Sequence, residues 1–500
     1  MGMTEQNKAG LQGNLVQAGA VARIGRFELV LAFLLMARLV LAAIAPVTDT
    51  TEARYADMAR MMAETGDWIT PQIDYGVPFW GKPPLHTWLS AAGIKAFGPV
   101  LSFLHAPEPV ALAARLPILG TALALLWVLY RWIALLRDRE TALIAGIVLS
   151  SSALFFGASA FVMTDMPLAL GVVLAMVGFH RGVGLADDVP DRRWGLAFFG
   201  GLAVGLLAKG PVAAVLVGIP LFLWLLIGNR WRLLRRLPWF AGTVLLGLTV
   251  LPWYAAAEIK TPGFLRYFVI GEHFERFTVP NWQGDLYGSG HERAKGMIWL
   301  YGLGAFLPWL LFVPILPWRA GRAVDRGLYS YLALFTIAPL ILFTPAANIL
   351  AAYVLPGMPA AAALLVVAWR DLNAPEGRLI SAAALVAATV LPVFALGVFM
   401  THDLKTYPFR TTEGAIRVLS EVAPDARVWT LGDRVYSAEF YTRGGAQAIM
   451  PDDLPSLLND DRTDAIIVRD PKGSAVLPEG FQDLGRWTIY RLWVEPSRAR

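Results

Sequence analysis

Residues 211–256 read PVAAVLVGIPLFLWLLIGNRWRLLRRLPWFAGTVLLGLTVLPWYAA, which is two apolar runs around a short basic loop. The runs, 211–228 and 237–256, are each close to the ~20 residues that an α-helix needs to cross a bilayer. The loop between them carries arginines at positions 230, 232, 235 and 236. Because arginine-rich loops stay in the cytoplasm, this stretch predicts a transmembrane helical hairpin with a cytoplasmic turn.

The same alternation of apolar runs and polar loops continues along the chain. Further runs that suit a membrane-spanning helix lie at 27–46, 110–130, 140–158, 164–180, 194–209, 296–317, 327–345, 351–369 and 378–400. With the hairpin they make about eleven spans, and the shorter stretch 84–98 leaves room for a twelfth or thirteenth if one loop breaks the charge rule. The sequence therefore predicts an all-α polytopic membrane protein with about 11–13 transmembrane helices.

The composition agrees with a membrane protein and excludes several soluble classes. Of the 500 residues, 56% are hydrophobic and only 16% are charged, whereas a soluble domain carries about a quarter charged residues. The net charge of +5 comes from cations dispersed between apolar runs, so nucleic acid is not a predicted partner. A chain without cysteine has no disulfides, thiol nucleophiles or cysteine metal sites.

The basic loops also predict which segments face outward. Arginine clusters at 131–139, 181–193, 230–236, 319–326 and 370–378, with Arg23 and Arg26, are assigned to the cytoplasm. An even number of crossings must then separate the leader, residues 1–26, from the first cluster, so the stretch 84–98 should lie in the outer interface or re-enter. The transmembrane domain extends over 27–400 and has external loops at 47–109 and 257–295. Its first span is interpreted as a retained signal anchor.

The final segment, 401–500, differs from the rest in charge. It contains 28 charged residues in 100 positions, a far higher density than the first 400 positions have. Short runs typical of strands lie at 427–431, 464–468 and 487–493, and a helix is predicted at 412–422. We therefore expect a small external α/β domain that begins near 401–410.

The first external loop opens with Asp49-Thr-Thr-Glu52-Ala-Arg54-Tyr55. Thr51 is suited to cap a helix with an apolar stripe at helical spacing, formed by Tyr55, Met58, Ala59 and Met62. Two placements bury this stripe. The helix either lies flat on the outer leaflet as a juxtamembrane helix or packs against the rest of the protein.

An ordered set of motifs spans residues 45–360. It comprises Asp49-x-x-Glu52-Ala-Arg54-Tyr55, Gly66-Asp67-Trp68, Lys82-Pro83-Pro84-Leu85, Ala114-Arg115-Leu116-Pro117, Thr164-Asp165-Met166-Pro167, Lys209-Gly210-Pro211, Glu272-His273-Phe274-x-Arg276-Phe277, Phe306-Leu307-Pro308-Trp309 and Tyr353-Val354-Leu355-Pro356. In this order the motifs resemble those of the polyprenyl-phosphate-dependent glycosyltransferases of family 39 and of the bacterial aminoarabinose transferases, which share the GT-C membrane fold. One departure is visible. Thr51 stands where the family commonly has an Asp before the Glu, and that Asp is its presumed catalytic residue.

The resemblance implies an enzyme that takes a sugar from undecaprenyl phosphate or a similar carrier and transfers it, with inversion, outside the cytoplasmic membrane. The implied partners are the polyprenyl-phosphate-linked sugar donor, membrane lipids and a lipid or glycan acceptor. Lipid A or its core is one option for the acceptor, and a protein is another. The implied location is the bacterial inner membrane, with the active site and the C-terminal domain on the periplasmic side. No cofactor is implied as a requirement, and a divalent metal is left open.

The carrier phosphate calls for fixed cations. This leaving group gains negative charge as the glycosidic bond breaks, so aimed cations stabilise the transition state more than the ground state. The resemblance places Lys82 and Arg276 at the phosphate, and Tyr353, near the outer end of a span, is suited to donate a hydrogen bond to it. Snorkelling is the alternative for Lys82, and an interfacial position is the alternative for Tyr353. Arg276 has pairing with Glu272 or Glu275 as its alternative.

The acceptor hydroxyl needs a base, and partial burial suits a carboxylate to this role by raising its pKa. The candidates are Asp49, Glu52 and Asp165. Asp165 lies at the outer mouth of an apolar span, where an unpaired carboxylate is costly, but its position equally suits a helix start. For Asp49 and Glu52 the alternative is solvated loop charge or pairing with Arg54.

The same motifs add further site candidates: Arg54, Tyr55, Lys209 and His273. Lys209 falls on the outer face, against the positive-inside trend, where snorkelling or contact with the carrier phosphate both suit it. An alternative divalent metal site would draw on loop histidines and one acid: His86, His273, His291 and Glu272.

A transporter or flippase of lipid-linked sugars is the competing function. Transporters tend to place charges and broken helices near the bilayer midplane, often in repeated halves. In this sequence the ionisable residues gather in two external loops and no internal repeat is visible, which favours catalysis at the interface. The departure at Thr51 leaves a catalytically lapsed relative as a third alternative. The sequence contains neither a Walker A loop nor a Rossmann glycine motif.

Overall fold

The structure is a computed structural model, and it describes residues 5–185, 189–280, 282, 284–287, 292–315, 326–371, 386, 388–398, 409–454 and 462–495. The described residues before position 399 are mostly helical, and a five-stranded sheet follows them. The predicted fold class, a helical membrane bundle with a small C-terminal α/β domain, is confirmed.

The bundle is built from long helices joined by tighter turns. Its α-helices are α1 (Glu5–Ile44), α2 (Thr51–Thr65), α3 (Leu85–Phe103), α4 (Pro109–Leu136), α5 (Arg139–Ser150), α6 (Ala153–Ala158), α7 (Asp165–Gly182), α8 (Arg192–Lys209), α9 (Val212–Gly228), α10 (Trp239–Lys260), α11 (Arg276–Thr278), α12 (Met297–Ala305), α13 (Arg326–Phe343), α14 (Met358–Asp371) and α15 (Ala388–Val398). Shorter elements are the 3₁₀ turns Trp231–Arg236, Trp309–Ile315 and Ala351–Gly357, the π-helix Arg266–Glu275, and the strands β1 (Gln72–Asp74) and β2 (Val77–Pro78).

Every predicted span contains helix. Within the described chain, five segments are long and apolar enough to cross a membrane: Gly25–Ile44, Pro109–Leu136, Trp239–Lys260, Arg326–Phe343 and Ala351–Asp371. The chain is thus a multi-pass membrane protein, while the number of crossings stays a prediction. The last predicted span is described only at 386 and 388–398, and the arginines at 319 and 322 lie outside the described residues.

Two predicted spans are interrupted, and a third begins as a 3₁₀ turn that continues directly into an α-helix. The span predicted at 140–158 is divided into α5 and α6, where the hydroxyls of Ser151 and Ser152 donate back to carbonyl oxygens one turn earlier. Pro308 separates α12 from the 3₁₀ turn that follows it, since proline lacks the N–H that would continue the helix. Pro356 lies inside the 3₁₀ turn before α14. These breaks were not predicted from the sequence, because the apolar content of a run does not register them.

Helices α7 and α8 pack closely as an antiparallel pair. A Cβ added at Gly171 would lie 2.6 Å from the backbone nitrogen of Gly205 and 2.8 Å from the carbonyl oxygen of Gly201. A side chain at this crossing would therefore push the two backbones apart. Because the helices are antiparallel, Asp165 at the start of α7 and Lys209 at the end of α8 meet at the same end of the bundle.

Helix α2 is packed inside the protein on all sides. Met58 and Ala59 of its apolar stripe are fully buried, and on another face Asp57 and Arg60 are buried with a 2.7 Å salt bridge between them. Packing against the protein is therefore the correct placement, and the leaflet placement is wrong, because a helix on a lipid surface keeps one face open. Thr51 does not cap the helix; the residue before it holds the cap position and makes no side-chain cap hydrogen bond.

The C-terminal domain holds a sheet with the strand order β4-β3-β5-β7-β6. Its elements are α16 (Glu413–Val422), β3 (Arg427–Leu431), α17 (Tyr436–Tyr441), β4 (Ala446–Ile449), the 3₁₀ turn Pro451–Asp453, β5 (Asp464–Arg469), β6 (Gln482–Trp487) and β7 (Tyr490–Val494). Strand β3 is parallel to β4 and β5, and β7 is antiparallel to β5 and β6. The predicted boundary near 401–410 lies mostly outside the described residues.

One strand prediction in this domain is wrong. The run 487–493 is the end of β6, a turn and most of β7, because Trp487 pairs with Tyr490 across the hairpin. Thr488 in the turn has φ = 56°, a left-handed conformation that a strand does not contain. Apolar residues flank this turn on both sides, so the sequence around it lacks the polar residues that usually indicate a turn. The predicted helix at 412–422 and the strands at 427–431 and 464–468 are confirmed.

The C-terminal domain packs on residues of the segment 47–109, the predicted first external loop, and on the start of α4. Tyr436 and Phe440 of α17 share one apolar cluster with Phe79, which precedes α3, and with Ala111, which follows it. Both ends of α3 therefore lie on the side of the bundle that carries the C-terminal domain. Because α3 is one continuous helix of 19 residues, the structure supports an interfacial helix for the predicted 84–98 stretch rather than a re-entrant one.

Candidate active site

The second external loop places an acid and a cation on one face of a helix. The π-helix ends at Glu275 and α11 continues from Arg276, so Glu272 and Arg276 are one turn apart. Arg276 Nη1 donates to both carboxylate oxygens of Glu272, at 3.0 Å each. The Glu272 side chain is only 2% exposed. The pairing with Glu272, which was the alternative for Arg276, is present.

Lys82 reaches the same carboxylate from the first external loop. Its Nζ lies 2.7 Å from Glu272 Oε2 and donates to the carbonyl oxygen of Gly81 at 2.5 Å. Pro83 and Pro84 follow directly and lead into α3, and their fixed φ angles restrict the backbone next to the lysine. One buried carboxylate thus joins two cations from separate loops.

The electrostatics of this group favour the ionised form of Glu272. Burial raises the pKa of Glu272, but the charges of Lys82 and Arg276 more than offset this and hold it below its ordinary value. The Lys82 and Arg276 side chains are 16% and 21% exposed, so a ligand can reach both. Arg276 Nη2 also lies 3.4 Å from Asp285 Oδ2.

Asp165 and Lys209 form a second ion pair at the end of α7 and α8. Lys209 Nζ donates to Asp165 Oδ1 at 2.5 Å, and both side chains are largely buried. The ammonium also lies 4.2 Å from the centroid of the Tyr353 ring, a cation–π contact. Asp165 is the first residue of α7 and makes no capping hydrogen bond there; Lys209 is its ionic partner. Tyr353 is partly buried and within electrostatic reach of Lys82 and Arg276.

His273 lies between the Glu272 group and the Asp165–Lys209 ion pair. Its Nε2 lies 3.2 Å from the carbonyl oxygen of Lys209, and its Nδ1 lies 2.7 Å from that of Phe268. Burial lowers the pKa of this imidazole. The chain between α8 and α9 fits here because Gly210 has φ = 81° and a Cβ there would lie 2.4 Å from the Phe268 ring. His273 therefore packs between the π-helix and the end of α8.

Tyr55 and His86 form the aromatic wall beside Lys82. The Tyr55 ring meets the His86 ring edge to face at 4.5 Å, and both residues are buried. Burial, followed by the nearby Lys82 charge, lowers the pKa of His86 to about 3, so the imidazole is neutral. In the part of the chain that the structure describes, no three His, Asp or Glu side chains are grouped to hold a metal. His291 of the alternative metal site lies outside the described residues.

Arg54 lies where both external loops and the C-terminal domain meet. Its Nη1 donates to the carbonyl oxygen of Tyr287 at 3.1 Å. The guanidinium carbon is 5.2 Å from the Tyr55 ring centroid and 5.8 Å from that of Tyr436. The predicted pairing of Arg54 with Asp49 or Glu52 is not found among the described contacts.

Asp49 is bound to the C-terminal domain. Its Oδ1 accepts from the Ser437 backbone N–H at 2.8 Å, and its Oδ2 accepts from the Ser437 hydroxyl and, at 2.9 Å, from the Tyr490 hydroxyl. Burial raises the pKa of this carboxyl, against the effect of the three donors. In this geometry Asp49 anchors the first external loop to the C-terminal domain.

Glu52 is held by a buried arginine of α4. Arg115 Nε and Nη2 donate to the two Glu52 oxygens at 2.8 and 2.9 Å, and the two side chains are 4% and 2% exposed. Arg115 also donates to the carbonyl oxygens of Ala42, Ala45 and Pro46. Within the described contacts, neither Glu52 nor Asp49 bonds to Lys82, Arg276 or Lys209.

The structure thus gathers most of the candidates and separates two of them. The residues brought together are Lys82, Arg276, Lys209, Asp165, Tyr353, Tyr55 and His273, with Arg54 at the rim. Asp285 and the Arg115 partner of Glu52 were not predicted as functional residues. A signal existed for both, since Asp285 lies in the ionisable second loop and Arg115 is a cation in an apolar run.

Comparison with known proteins shows which family of membrane proteins the chain is similar to. The family described as Dolichyl-phosphate-mannose-protein mannosyltransferase matches residues 32–268. The protein named Undecaprenyl phosphate-alpha-4-amino-4-deoxy-L-arabinose arabinosyl transferase is 30% identical in Pseudomonas aeruginosa over 320 residues, covering 61% of this chain and 52% of that protein. The protein of the same name from Aeromonas salmonicida is 27% identical over 335 residues, covering 65% and 57%. The chain spans little more than half the length of these curated relatives.

A crystal structure shares the fold over nearly the whole chain. ArnT from Cupriavidus metallidurans in the apo state has a TM-score of 0.73 with 20% identity, and covers 95% of this chain and 99% of its own. The same protein bound to undecaprenyl phosphate has a TM-score of 0.71, with coverage of 95% and 98%. The resemblance to polyprenyl-phosphate glycosyltransferases with a GT-C fold is confirmed.

Proposed function

We propose that this chain is a membrane glycosyltransferase that moves a sugar, a hexose or a pentose, from a polyprenyl-phosphate carrier to a lipid or glycan of the cell envelope. One observation carries the proposal. Lys82 and Arg276, which lie in the two predicted external loops, both bind the Glu272 carboxylate while their own side chains remain partly exposed. Two cations that converge in this way suit a phosphate group.

The relatives support the carrier class. The curated relatives are named for an undecaprenyl-phosphate-linked aminoarabinose, and the similar ArnT crystal structure is described as bound to undecaprenyl phosphate. We extend this carrier to the present chain because its fold matches and because its two cations occupy the loops that carry the shared motifs.

The phosphate side of the reaction follows from charge. As the bond between the sugar and the phosphate oxygen breaks, the bonding electron pair passes to the phosphate oxygen, which becomes more negative. Lys82 and Arg276 lie where they stabilise this charge as it develops, and a site shielded from water strengthens the effect. The Tyr353 hydroxyl is a further donor within electrostatic reach of both cations.

On the acceptor side, the geometry favours Asp165 over Asp49 and Glu52 as the base. Asp165 is buried beside Lys209, in electrostatic reach of Tyr55 and Tyr353 in the site. Its carboxylate takes the proton of the acceptor hydroxyl while that oxygen attacks the sugar carbon from the face opposite the phosphate, which inverts the configuration. Asp49 and Glu52 are engaged by Ser437 and Arg115 instead.

We further propose the orientation and the division of the chain. Residues 1–26 form a cytoplasmic leader, 27–400 the transmembrane domain and 401–500 a periplasmic domain in a bacterial inner membrane. Two observations support this arrangement. The site and the C-terminal domain share one side of the bundle through the Tyr436 cluster, and the arginine loops, such as Arg230–Arg236, lie outside that cluster.

The test uses the full-length chain in proteoliposomes with undecaprenyl phosphates that carry radiolabelled sugars, and with lipid A and glycans as acceptors. Lys82→Ala and Arg276→Ala should each lower transfer by about 10²–10³-fold. Lys260→Ala and Arg266→Ala are matched controls, because both side chains are exposed and neither pairs with Glu272 or Asp165 in the described contacts. Unchanged transfer in the site variants contradicts the proposal, and so does label that changes leaflet while it stays on the carrier.

A further inference from the structure

The ions of the site balance one another. We define the ion cluster as two neighbouring groups of ion pairs: Lys82, Arg276, Glu272 and Asp285 in one, and Lys209 and Asp165 in the other. His273 lies between the two groups, with Nε2 3.2 Å from the Lys209 carbonyl oxygen. The formal charge of the cluster is therefore zero. Arg54, another cation of the first loop, donates to a backbone carbonyl oxygen and has no described ion pair with the cluster.

An anionic ligand disturbs this balance. A phosphate that simply adds to the cluster brings negative charge next to Glu272, which is buried and ionised. Like charges at short range in a buried site are unfavourable. The phosphate must therefore either take a proton from its surroundings or displace a carboxylate from the cations.

Glu272 is the carboxylate that a phosphate would have to displace. Its two oxygens occupy the space between Lys82 Nζ and Arg276 Nη1, at 2.7 and 3.0 Å. This is the geometry in which a phosphate would bind the same two donors. Among the described ion pairs, Asp285 contacts Arg276, at 3.4 Å, and Asp165 contacts Lys209. Asp285 also accepts from the Tyr287 backbone N–H, and Asp165 accepts from the Thr164 hydroxyl. Neither carboxylate lies between the two cations as Glu272 does.

We propose that Glu272 is an internal anion that holds Lys82 and Arg276 in the empty site and competes with the carrier phosphate for them. The inference rests on the proposed function and adds a positioning residue to it. When phosphate binds, Glu272 gives up the cations. The Tyr267 hydroxyl, 3.4 Å from Glu272 Oε1, is a donor that remains for it.

Competition by Glu272 matters most for product release. The sugar-linked donor is a phosphodiester with one negative charge, whereas the released carrier is a phosphomonoester whose second pKa is about 6. The product is thus the more highly charged ligand and the one that two free cations would retain. A returning Glu272 carboxylate lowers the affinity for product more than the affinity for donor.

A merely structural role predicts the opposite result. If Glu272 only orients the cations, its loss leaves them misplaced and weakens binding of the carrier. If Glu272 competes, its loss strengthens binding. The sign of the change in affinity therefore separates the two roles.

The experiment measures binding of radiolabelled undecaprenyl phosphate to the full-length chain in nanodiscs. Glu272→Gln should lower the Kd by at least about tenfold, and Glu272→Asp, which keeps the charge on a shorter side chain, by less. Glu275→Gln is the matched control, since it removes the same charge from an exposed position on the same π-helix, and its Kd should stay at the wild-type value. Thermal unfolding of each variant confirms that it is folded.

Turnover gives a second readout. Glu272→Gln should lower both KM and kcat and should increase inhibition by added undecaprenyl phosphate, because release becomes limiting. An equal or higher Kd in Glu272→Gln overturns the inference. Where that variant does not fold, a Kd for Glu272→Asp at or above the wild-type value overturns it equally. Wild-type protein that binds no undecaprenyl phosphate contradicts the proposed function itself.

Discussion

Two buried ion groups in this protein have the same chemistry but different exposure. In the first, Arg115 binds Glu52 with two hydrogen bonds, both side chains are at most 4% exposed, and further arginine N–H groups are used by backbone carbonyls. In the second, Glu272 binds Lys82 and Arg276, which remain 16% and 21% exposed. The Arg115–Glu52 pair, which we call the sealed pair, exposes no surface that a ligand could reach, so its role is to stabilise the fold. A reachable pair can exchange one partner for a substrate.

The largest effect should come from opening the sealed pair. Arg115→Met leaves the Glu52 carboxylate buried without its cation, and we expect a loss of about 3–5 kcal/mol in the free energy of unfolding. Thermal unfolding in detergent measures this loss. The double variant with Glu52→Gln should recover part of it, because no unpaired charge then remains. A single variant that unfolds at the wild-type temperature would show that the pair is not sealed.

Activity rather than stability should respond at the reachable group. Arg276→Lys keeps the charge but cannot present parallel N–H groups, and we expect transfer to fall about tenfold to a hundredfold. The unfolding temperature should change little because the position is partly exposed. Parallel transfer and unfolding assays check both expectations. A large loss of stability with normal transfer would make the second group structural like the first.

Substitution of Asp49 tests whether this residue anchors the C-terminal domain or acts as the catalytic base. Asp49→Asn weakens its bonds to Ser437 and Tyr490, and we expect the docked domain to lose about 1–2 kcal/mol. Faster proteolysis in the 401–410 segment would report this loss. Asp165→Asn should abolish most transfer while leaving that proteolysis unchanged. Transfer abolished in Asp49→Asn with the domain still docked would restore Asp49 as the base.

The smallest effect concerns pH at the same domain interface. Burial, followed by the charge of Glu413, raises the pKa of Glu108 to about 7, and burial also raises the pKa of Glu413. A raised carboxyl pKa means that the docked state binds the proton more tightly, so its contribution is complete below the ordinary pKa of about 4.5 and is lost as the pH rises towards 7.

We therefore expect the domain to release more readily at pH 8 than at pH 5. Limited proteolysis across this range measures the release. Glu108→Gln should flatten the profile, and a profile that stays steep in this variant would assign the effect to other groups.

Much of the site was predictable from motifs. Lys82 and Arg276 were predicted from their place in the ordered set, and the structure brings them to one carboxylate. The motif around Asp49 led to a different interpretation, because nothing near it in sequence shows that Ser437 is its partner. A contact across 388 positions is formed by domain docking, which local patterns do not encode.

The helices also include features that the sequence predicted and features that it left open. The sequence predicted α2 from the spacing of Met58 and Ala59, but it left the choice between lipid and protein open. That choice depends on what covers the other face, and here α3 and the C-terminal domain cover it. The break at Ser151 and the hairpin turn at Thr488 were missed because the surrounding residues stay apolar.

By itself, the sequence determined that this chain is a helical membrane protein, and it predicted that the chemistry lies in two external loops, because hydrophobic run length and the placement of charge are local properties of the chain. Only the tertiary structure decided which charges are sealed and which are reachable. Glu52 and Glu272 are similar acids in sequence, and both are buried beside cations. Their difference lies in the exposure of those cations, which depends on how distant segments pack.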